Sequence, residues 1–334
     1  MTTPRKVALT SVEPSDQHAA TLESVSNTVR ISDLVAPRRI PPHAGWRKTV
    51  HILSAHTLNP GESRTERHYR ELRDRIRRHI RRQYVIGVVA GKGGVGKTTV
   101  TACLGGVFRE CRPENVVAID AAPGFNTLAG RIDENPPGDY AAVLNDGDVH
   151  GYADIREHLG QNDIGLDVLA GNQSSDQPRP LEPAMFEGVL SRLRRTHTVI
   201  LVDTADDLEH PVMAAVLAGC DTLVFVSGLT ADTALPVTRA IDLLRALGHH
   251  ELVAQSTVVL NDNRNRYDRD TRRYLSERFA QSGATVEFLP YDPHLAKGGI
   301  IDTRHELNKA TRLRLYEITA AVADKYVPDA DRRP

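Results

Sequence analysis

Hydrophobic positions follow two alternating patterns over most of the chain. Short apolar runs, typical of buried strands, alternate with segments whose apolar residues recur every three or four positions, as on one face of a helix. The apolar runs predict strands at 84–90, 116–119, 164–169, 198–202, 222–226, 256–260 and 285–289. Helical spacing follows the first strand and returns over 182–195, 233–247 and 269–281. This alternation predicts an α/β fold with a mostly parallel, twisted sheet covered by helices on both faces.

The first part of the chain has a different pattern. Residues 1–44 are rich in Pro, Ser, Thr and Arg and have few apolar residues, which predicts a disordered tail. Residues 45–83 form an N-terminal extension, in which 49–53 is predicted to be a short edge strand. The α/β domain is predicted to occupy 84–328 as a single unit, and 329–334 form a short tail.

A helix is predicted inside the extension. Ser63 and Glu66 have the spacing of a capping box, in which each side chain satisfies a free backbone amide at a helix start. The helix is expected to run to about Arg82, with Leu72, Ile76 and Ile80 at a spacing of four on its apolar face. Nine arginines lie between residues 64 and 82. They suggest an anionic surface, DNA or membrane, as a partner, while a solvated helix whose apolar stripe packs on its own domain explains them equally simply.

Composition and charge narrow the class of protein. The chain of 334 residues is 40% hydrophobic and 25% charged, as in ordinary soluble proteins. No long apolar stretch predicts a transmembrane helix, and the first residues lack the apolar block of a secretory signal, so a cytoplasmic location is expected. The three cysteines are odd in number and far apart, against a disulfide framework or a zinc site. Residues 1–84 hold 16 Lys and Arg against 8 Asp and Glu, whereas the remainder holds 26 against 35.

The strongest chemical motif follows the first strand. Residues 91–98 fit the pattern G-x-x-x-x-G-K-[ST], with a buried strand before it and an amphipathic helix after it. Glycines let successive backbone amides turn toward phosphate oxygens, and the helix N-terminus adds partial positive charge. The pattern predicts ATP binding with Mg²⁺: Lys97 contacts the β- and γ-phosphates, and Thr98 ligates the cation. The predicted nucleotide-contacting residues of this loop are Gly91, Lys92, Gly93, Gly94, Val95, Gly96, Lys97, Thr98 and Thr99.

The loop and three later segments resemble the ParA/MinD family of phosphate-loop ATPases. A second lysine early in the loop, Lys92, is similar to the family lysine that crosses a nucleotide-sandwiched dimer, so the resemblance implies an ATP-dependent homodimer. The segment ending in Asp120 resembles the second strand of the family and its switch, where Ala122 stands in place of the aspartate that orients the attacking water. The resemblance therefore implies Lys92, Lys97 and Asp120 as the catalytic residues.

Two further segments extend the resemblance. Strand 199–203 ends in Asp203, which is similar to the family carboxylate that holds Mg²⁺ through water. The residues after it, 204–207, lack the family glycine that senses the γ-phosphate. The remaining ATP-binding residues that the resemblance implies lie on the adenine side: Asn261, Pro290, Tyr291 and Asp292.

Within that family, 45–327 resembles the MinD-like, EspI-like branch associated with mycobacterial type VII (ESX) secretion. The residues that carry this likeness include 45–47, 59–63, 152–156, 289–295 and 310–312. The branch implies a slow ATPase that regulates or recruits type VII secretion components, in the cytoplasm or peripherally at the inner membrane. A nucleotide-binding scaffold without hydrolysis and a ParA-like DNA-binding partition ATPase are the alternatives.

Overall fold

A computed structural model gives the structure of the chain and describes residues 40–41, 45–55, 57–122, 127–171 and 181–326. The chain divides into two compact units, 1–67 and 68–334. The predicted tails, 1–44 and 329–334, lie almost wholly outside the described residues. The boundary predicted between 83 and 84 stays a prediction.

The first unit contains a helix where the sequence predicts a strand. Helix α1 covers Gly45–Leu53, so the edge strand predicted at 49–53 is wrong. Alternating apolar residues there favour a strand, but a helix satisfies its own backbone groups without a neighbouring strand. The capping box is confirmed, because the Ser63 amide donates to the Glu66 carboxylate at 2.8 Å and the Glu66 amide donates to the Ser63 hydroxyl at 3.1 Å.

Helix α2 covers Arg64–Ile76, six residues shorter than predicted. The buried guanidinium of Arg112 donates to the carbonyl oxygens of Ile76 at 2.7 Å and Arg78 at 2.9 Å. A longer helix would use these carbonyls for its own backbone bonds, so Arg112 replaces the next turn. Leu72 and Ile76 are buried as predicted, whereas Ile80 is only partly buried and lies after the end of the helix.

The second unit is built around a sheet whose described strands confirm the predicted α/β fold. The sheet order is β3-β4-β2-β5-β1-β6-β7-β8, and every neighbouring pair is parallel except β3 with β4. The strands are β1 Tyr84–Ala90, β2 Val116–Asp120, β3 Gly160–Gln161, β4 Asp167–Leu169, β5 Val199–Asp203, β6 Thr222–Ser227, β7 Thr257–Asn261 and β8 Thr285–Leu289. The two-residue strand β3 has no pattern long enough for prediction.

Helices cover both faces of this sheet. They are α3 Lys97–Cys111, α4 Ala129–Ile132, α5 Tyr140–Asn145, α6 Tyr152–Arg156, α7 Pro183–Leu193, α8 Pro211–Gly219, α9 Ala231–Ala246, α10 His250–Ala254, α11 Arg269–Ala280, α12 Pro293–Lys297 and α13 Lys309–Ala323. Successive β1 side chains enter opposite cores: Val85 and Val89 join one, and Ile86 and Val88 join the other. Because the strands are parallel, the polar residues that end β2, β5 and β7 lie at the carboxyl ends of the strands, where the loop after β1 also lies.

Candidate functional site

The loop between β1 and α3 depends on glycine at specific positions. Gly94 and Gly96 have φ angles of +78° and +93°, a region that L side chains rarely adopt. A Cβ at Gly91 would lie 2.4 Å from the carbonyl carbon of Pro236, and one at Gly96 would lie 2.3 Å from the Asn261 side-chain nitrogen. The loop thus curls against α9 and β7 and delivers the chain to the N-terminus of α3, where free amides and the helix dipole favour an anion.

Lys97 and Thr98 open α3 and meet Asp203 at the end of β5. The Lys97 ammonium donates to Asp203 Oδ1 at 2.9 Å and to the Thr204 carbonyl, while the Thr98 hydroxyl donates to Asp203 Oδ2 at 2.6 Å. Asp203 is 1% exposed and Lys97 is 9% exposed, so this ion pair is largely shielded from water. The structure therefore brings together the three residues that the sequence assigns to phosphate and Mg²⁺.

The donor set at this point suits Mg²⁺. The Thr98 hydroxyl and the Asp203 carboxylate supply the hard oxygen donors that Mg²⁺ prefers, and they already lie within hydrogen-bond distance of each other. The adjacent loop and Lys97 provide the positive field that a polyphosphate needs.

Asp120 lies beside Asp203 and is equally buried. The two residues are register partners in β2 and β5, and Asp120 is 1% exposed. Burial, and then the neighbouring Asp203 charge, raise the pKa of Asp120 to about 8, although the amides of Ala122 and Leu128 and the Lys97 charge act in the opposite direction. Burial and the neighbouring carboxylate thus both favour the protonated form of Asp120.

Lys92 lies outside this buried group. Its ammonium is 2.9 Å from the Asp232 carboxylate at the start of α9, and both side chains are at least half exposed. The Thr230 hydroxyl and Lys92 donate to Asp232 and lower its pKa to about 2. Lys92 is therefore accessible from solvent and already paired within its own chain.

A cavity of about 400 Å³ opens beside the loop. Asn261, Pro290, Tyr291 and Asp292, the residues predicted for the adenine side, line this cavity together with residues of the phosphate loop. The Asn261 amide donates to the Val95 carbonyl at 2.8 Å. The role of these residues in base binding stays a prediction.

The orientation of Asp292 is set by backbone amides. Its two carboxylate oxygens accept hydrogen bonds from the amides of His294 and Asn308, each at 2.9 Å. Asp292 therefore caps α12 and fixes the following loop, a role that the likeness to adenine-side segments did not indicate.

Sequence reasoning missed several residues of the cavity. Asp206, which follows Asp203 by three positions, lines it and lies 3.9 Å from the Lys97 ammonium. The available sequence signal for Asp206 is its position, three residues after the aspartate that ends β5. The other missed lining residues come from loops and short helices without a sequence motif: Thr127, Arg131, Asp262, Asn263, Leu295 and Ala296.

The arginines of the extension that lie in the second unit are partly occupied there. Arg75 and Arg78 both form ion pairs with Asp324 after α13, and the Arg77 guanidinium donates to the Cys111 carbonyl. Arg75 lies near the end of α2 and Arg77 and Arg78 follow it, so these contacts support the interpretation that the end of this arginine-rich segment packs on its own domain. The anionic partner stays a prediction. No helix among the described residues is long and apolar enough to cross a membrane.

The fold and this loop define a nucleotide-binding α/β protein. The chain belongs to the CobQ/CobB/MinD/ParA nucleotide binding domain family, whose model matches residues 86–300. Among curated proteins it is similar to the ESX-1 secretion-associated protein EspI of Mycobacterium tuberculosis, with 31% identity over 292 residues. That match covers 86% of this chain but 43% of EspI, so the chain spans less than half the length of that relative.

Three further similar proteins have lower sequence identity. The antiactivator FleN of Pseudomonas aeruginosa is 26% identical over 223 residues, which is 64% of this chain and 75% of FleN. Among solved structures, the cell division ATPase MinD of Pyrococcus furiosus superposes with a TM-score of 0.57 at 22% identity, over 72% of this chain and 97% of that one. MinD in the MinC:MinD complex of Aquifex aeolicus gives 0.55 at 23% identity, over 71% and 93%. These structures support the fold.

Proposed function

We propose that the protein is an ATP- and Mg²⁺-dependent dimerisation switch of the MinD/ParA type, with slow ATP hydrolysis. The observation that supports this most directly is the group formed by Lys97, Thr98 and Asp203 at the end of the glycine loop. A buried ammonium, an α-helix N-terminus and two hard oxygen donors suit a Mg²⁺-bound polyphosphate better than any other common ligand.

Each group then has a defined task. The loop amides and Lys97 hold the β- and γ-phosphates, and Thr98 with Asp203 holds Mg²⁺, Asp203 through water. When bound, the cation offsets the charge of the phosphates. Binding requires Lys97 to exchange its contacts with Asp203 and Thr204 for phosphate oxygens. Lys92, exposed at the rim of the loop, reaches the phosphates of a second subunit.

The output of the switch is recruitment or regulation of a partner complex. The similarity to EspI, an ESX-1 secretion-associated protein, supports components of a type VII secretion system as that partner. The protein acts in the cytoplasm, where ATP is available, and meets the secretion machinery at the inner face of the membrane.

A measurement of the oligomeric state with and without nucleotide tests the proposal. Light scattering after size exclusion should give a monomer without nucleotide and a dimer with Mg²⁺ and a slowly hydrolysed ATP analogue. Lys92→Ala should bind nucleotide and stay monomeric, whereas Lys309→Ala, an exposed lysine at the start of α13, should behave as wild type. A nucleotide-bound wild type that stays monomeric at all concentrations would refute the switch.

A non-hydrolysing scaffold is the second candidate, favoured by Ala122 in place of the switch aspartate and by the missing glycine after Asp203. ATP bound without turnover would support it. DNA binding through the arginines of 64–82 predicts affinity that falls with about the fifth power of salt if six phosphates are engaged. We expect no such slope, because Arg75, Arg77 and Arg78 already have partners in the fold.

A further inference from the structure

The segment after β5 brings a second carboxylate to the phosphate loop. Asp206 Oδ1 lies 3.9 Å from the Lys97 ammonium, and the side chain is 51% exposed and lines the cavity. A Cβ added to Gly93 would lie 2.9 Å from Asp206 Oδ2. The carboxylate therefore lies directly against the loop, above a residue that has no side chain to obstruct it.

Other carboxylates near this position are committed elsewhere. Asp203 binds Lys97 and Thr98, and Asp120 is buried, accepts a hydrogen bond from the Ala122 amide and does not line the cavity. The neighbouring carboxylate of Asp207 turns back to accept the Glu209 amide at 2.9 Å. Among the described acids of the two strand-end segments, 116–122 and 199–209, Asp206 is the one that lines the cavity.

The place of Asp206 relative to Lys97 defines what it can contact. Lys97 is the residue assigned to the β- and γ-phosphates, so a carboxylate 3.9 Å from its ammonium lies at the end of the site assigned to those two phosphates. The Lys97 charge offsets the repulsion between that carboxylate and a phosphate. Because Asp206 is half exposed, a water molecule reaches it without any change in the fold.

We propose that Asp206 positions the attacking water in ATP hydrolysis, in the role left vacant by Ala122. This inference rests on the proposed function. Asp206 accepts a hydrogen bond from the water, whose oxygen attacks the γ-phosphorus. The bond between that phosphorus and the β–γ bridging oxygen breaks, its electron pair leaves with ADP, and the water protons end on the released phosphate and solvent. Asp206 is unchanged at the end.

The experiment compares ATP affinity and single-turnover hydrolysis in four proteins. These are wild type, Asp206→Asn, the matched control Asp207→Asn, and the double variant Ala122→Asp with Asp206→Asn. Affinity is measured with a fluorescent ATP analogue, and thermal melting checks that each variant is folded. Because Asp206 and Asp207 are exposed neighbours of equal charge, their comparison separates position from net charge.

We expect Asp206→Asn to lose about 100-fold in turnover, the order of magnitude for a lost positioning contact, with ATP affinity within threefold of wild type. Asp207→Asn should match wild type, and the double variant should recover at least tenfold. Equal turnover in Asp206→Asn and wild type would overturn this assignment and leave the switch intact. Tighter ATP binding with faster turnover in Asp206→Asn would also overturn it, since the carboxylate would then compete with the γ-phosphate. Wild type that binds ATP without turnover would refute both this role and hydrolysis, whereas failure to bind ATP would refute the proposed function itself.

Discussion

Replacing Asp167 should strongly destabilise the protein, because its buried carboxylate is the centre of a group of hydrogen bonds and ion pairs. Asp167 begins β4, and its side chain is 0% exposed. One carboxylate oxygen accepts from Gln161 at 2.8 Å, and the other accepts from Tyr152 at 2.9 Å and contacts His197 Nε2 at 3.0 Å. Arg156 adds an ion pair at 3.5 Å.

The magnitude follows from what the change leaves behind. Asp167→Ala leaves the buried His197 ring nitrogen without its carboxylate partner, and an unsatisfied buried group costs about 1–3 kcal/mol. The half-buried Tyr152 hydroxyl keeps its longer hydrogen bond from Gln161 at 3.4 Å. Removal of one partner from a buried charged group costs about 3–5 kcal/mol. We therefore expect a loss of about 4 kcal/mol, which for a domain of this size lowers Tm by roughly 8–16 °C. Tyr152→Phe, which removes one hydrogen bond and keeps the ring, should lose about 1 kcal/mol.

Urea unfolding followed by circular dichroism measures these differences as shifts of the midpoint at constant slope. Asp163→Ala, an exposed carboxylate four residues away, is the matched control and should leave the midpoint unchanged. A free energy of unfolding for Asp167→Ala within 1 kcal/mol of wild type would refute the reasoning, because the four contacts would then contribute almost nothing.

Three further predictions concern the site. Asp120 has its pKa raised from 3.8 to about 8, so the folded chain keeps a proton that the unfolded chain loses above about pH 4; stability should fall as pH rises from about 4 to 8. In EDTA, Asp120→Asn should flatten that fall and be the more stable protein at pH 8, and urea midpoints equal to wild type at each pH would contradict this. Gly96→Ala should weaken nucleotide binding at least tenfold, because φ is +93° and a Cβ would meet a nitrogen at 2.3 Å, while Gly130→Ala, with no atom within 4 Å, should bind normally. Asp232→Asn should free Lys92 and move nucleotide-dependent dimerisation to lower protein concentration, as measured by light scattering, and an unchanged midpoint would show that the pair does not restrain Lys92.

Long apolar runs and strong local chemistry were predictable from the sequence. A run such as 222–226 is buried on both faces of a parallel sheet, so its pattern alone identifies the strand. The Ser63–Glu66 capping box is equally local. The end of α2 was not predictable, because it depends on Arg112, which reaches Ile76 from the far end of α3. Strand and helix were confused at 49–53, where an alternating pattern had no partner strand to pair with.

The site divides in the same way. The spacing of the glycine-loop motif determines the geometry of the loop, so Lys97 and Thr98 could be predicted from the sequence. The prediction of Asp203 rested on a family resemblance, and its contacts with Lys97 and Thr98 are formed only in the tertiary structure. Asp206 was missed because no pattern states which of two adjacent aspartates faces the cavity.

The likeness of 152–156 to one branch of the family now has a structural explanation. Tyr152 and Arg156 both contact Asp167, and Ile155 is fully buried. Asp154 accepts the amides of His150 and Gly151 at the start of α6. Four of the five residues therefore have contacts that support the fold next to β3 and β4.

The central claim is that the glycine loop binds Mg²⁺–ATP through Lys97, and calorimetric titration with ATP tests it most directly. Wild type should bind one nucleotide per chain, and EDTA should weaken that binding. Lys97→Ala should weaken it at least tenfold while Lys309→Ala does not, with thermal melting confirming that both variants are folded. Equal affinity in folded Lys97→Ala and wild type would contradict the account, as would a wild type that binds no nucleotide.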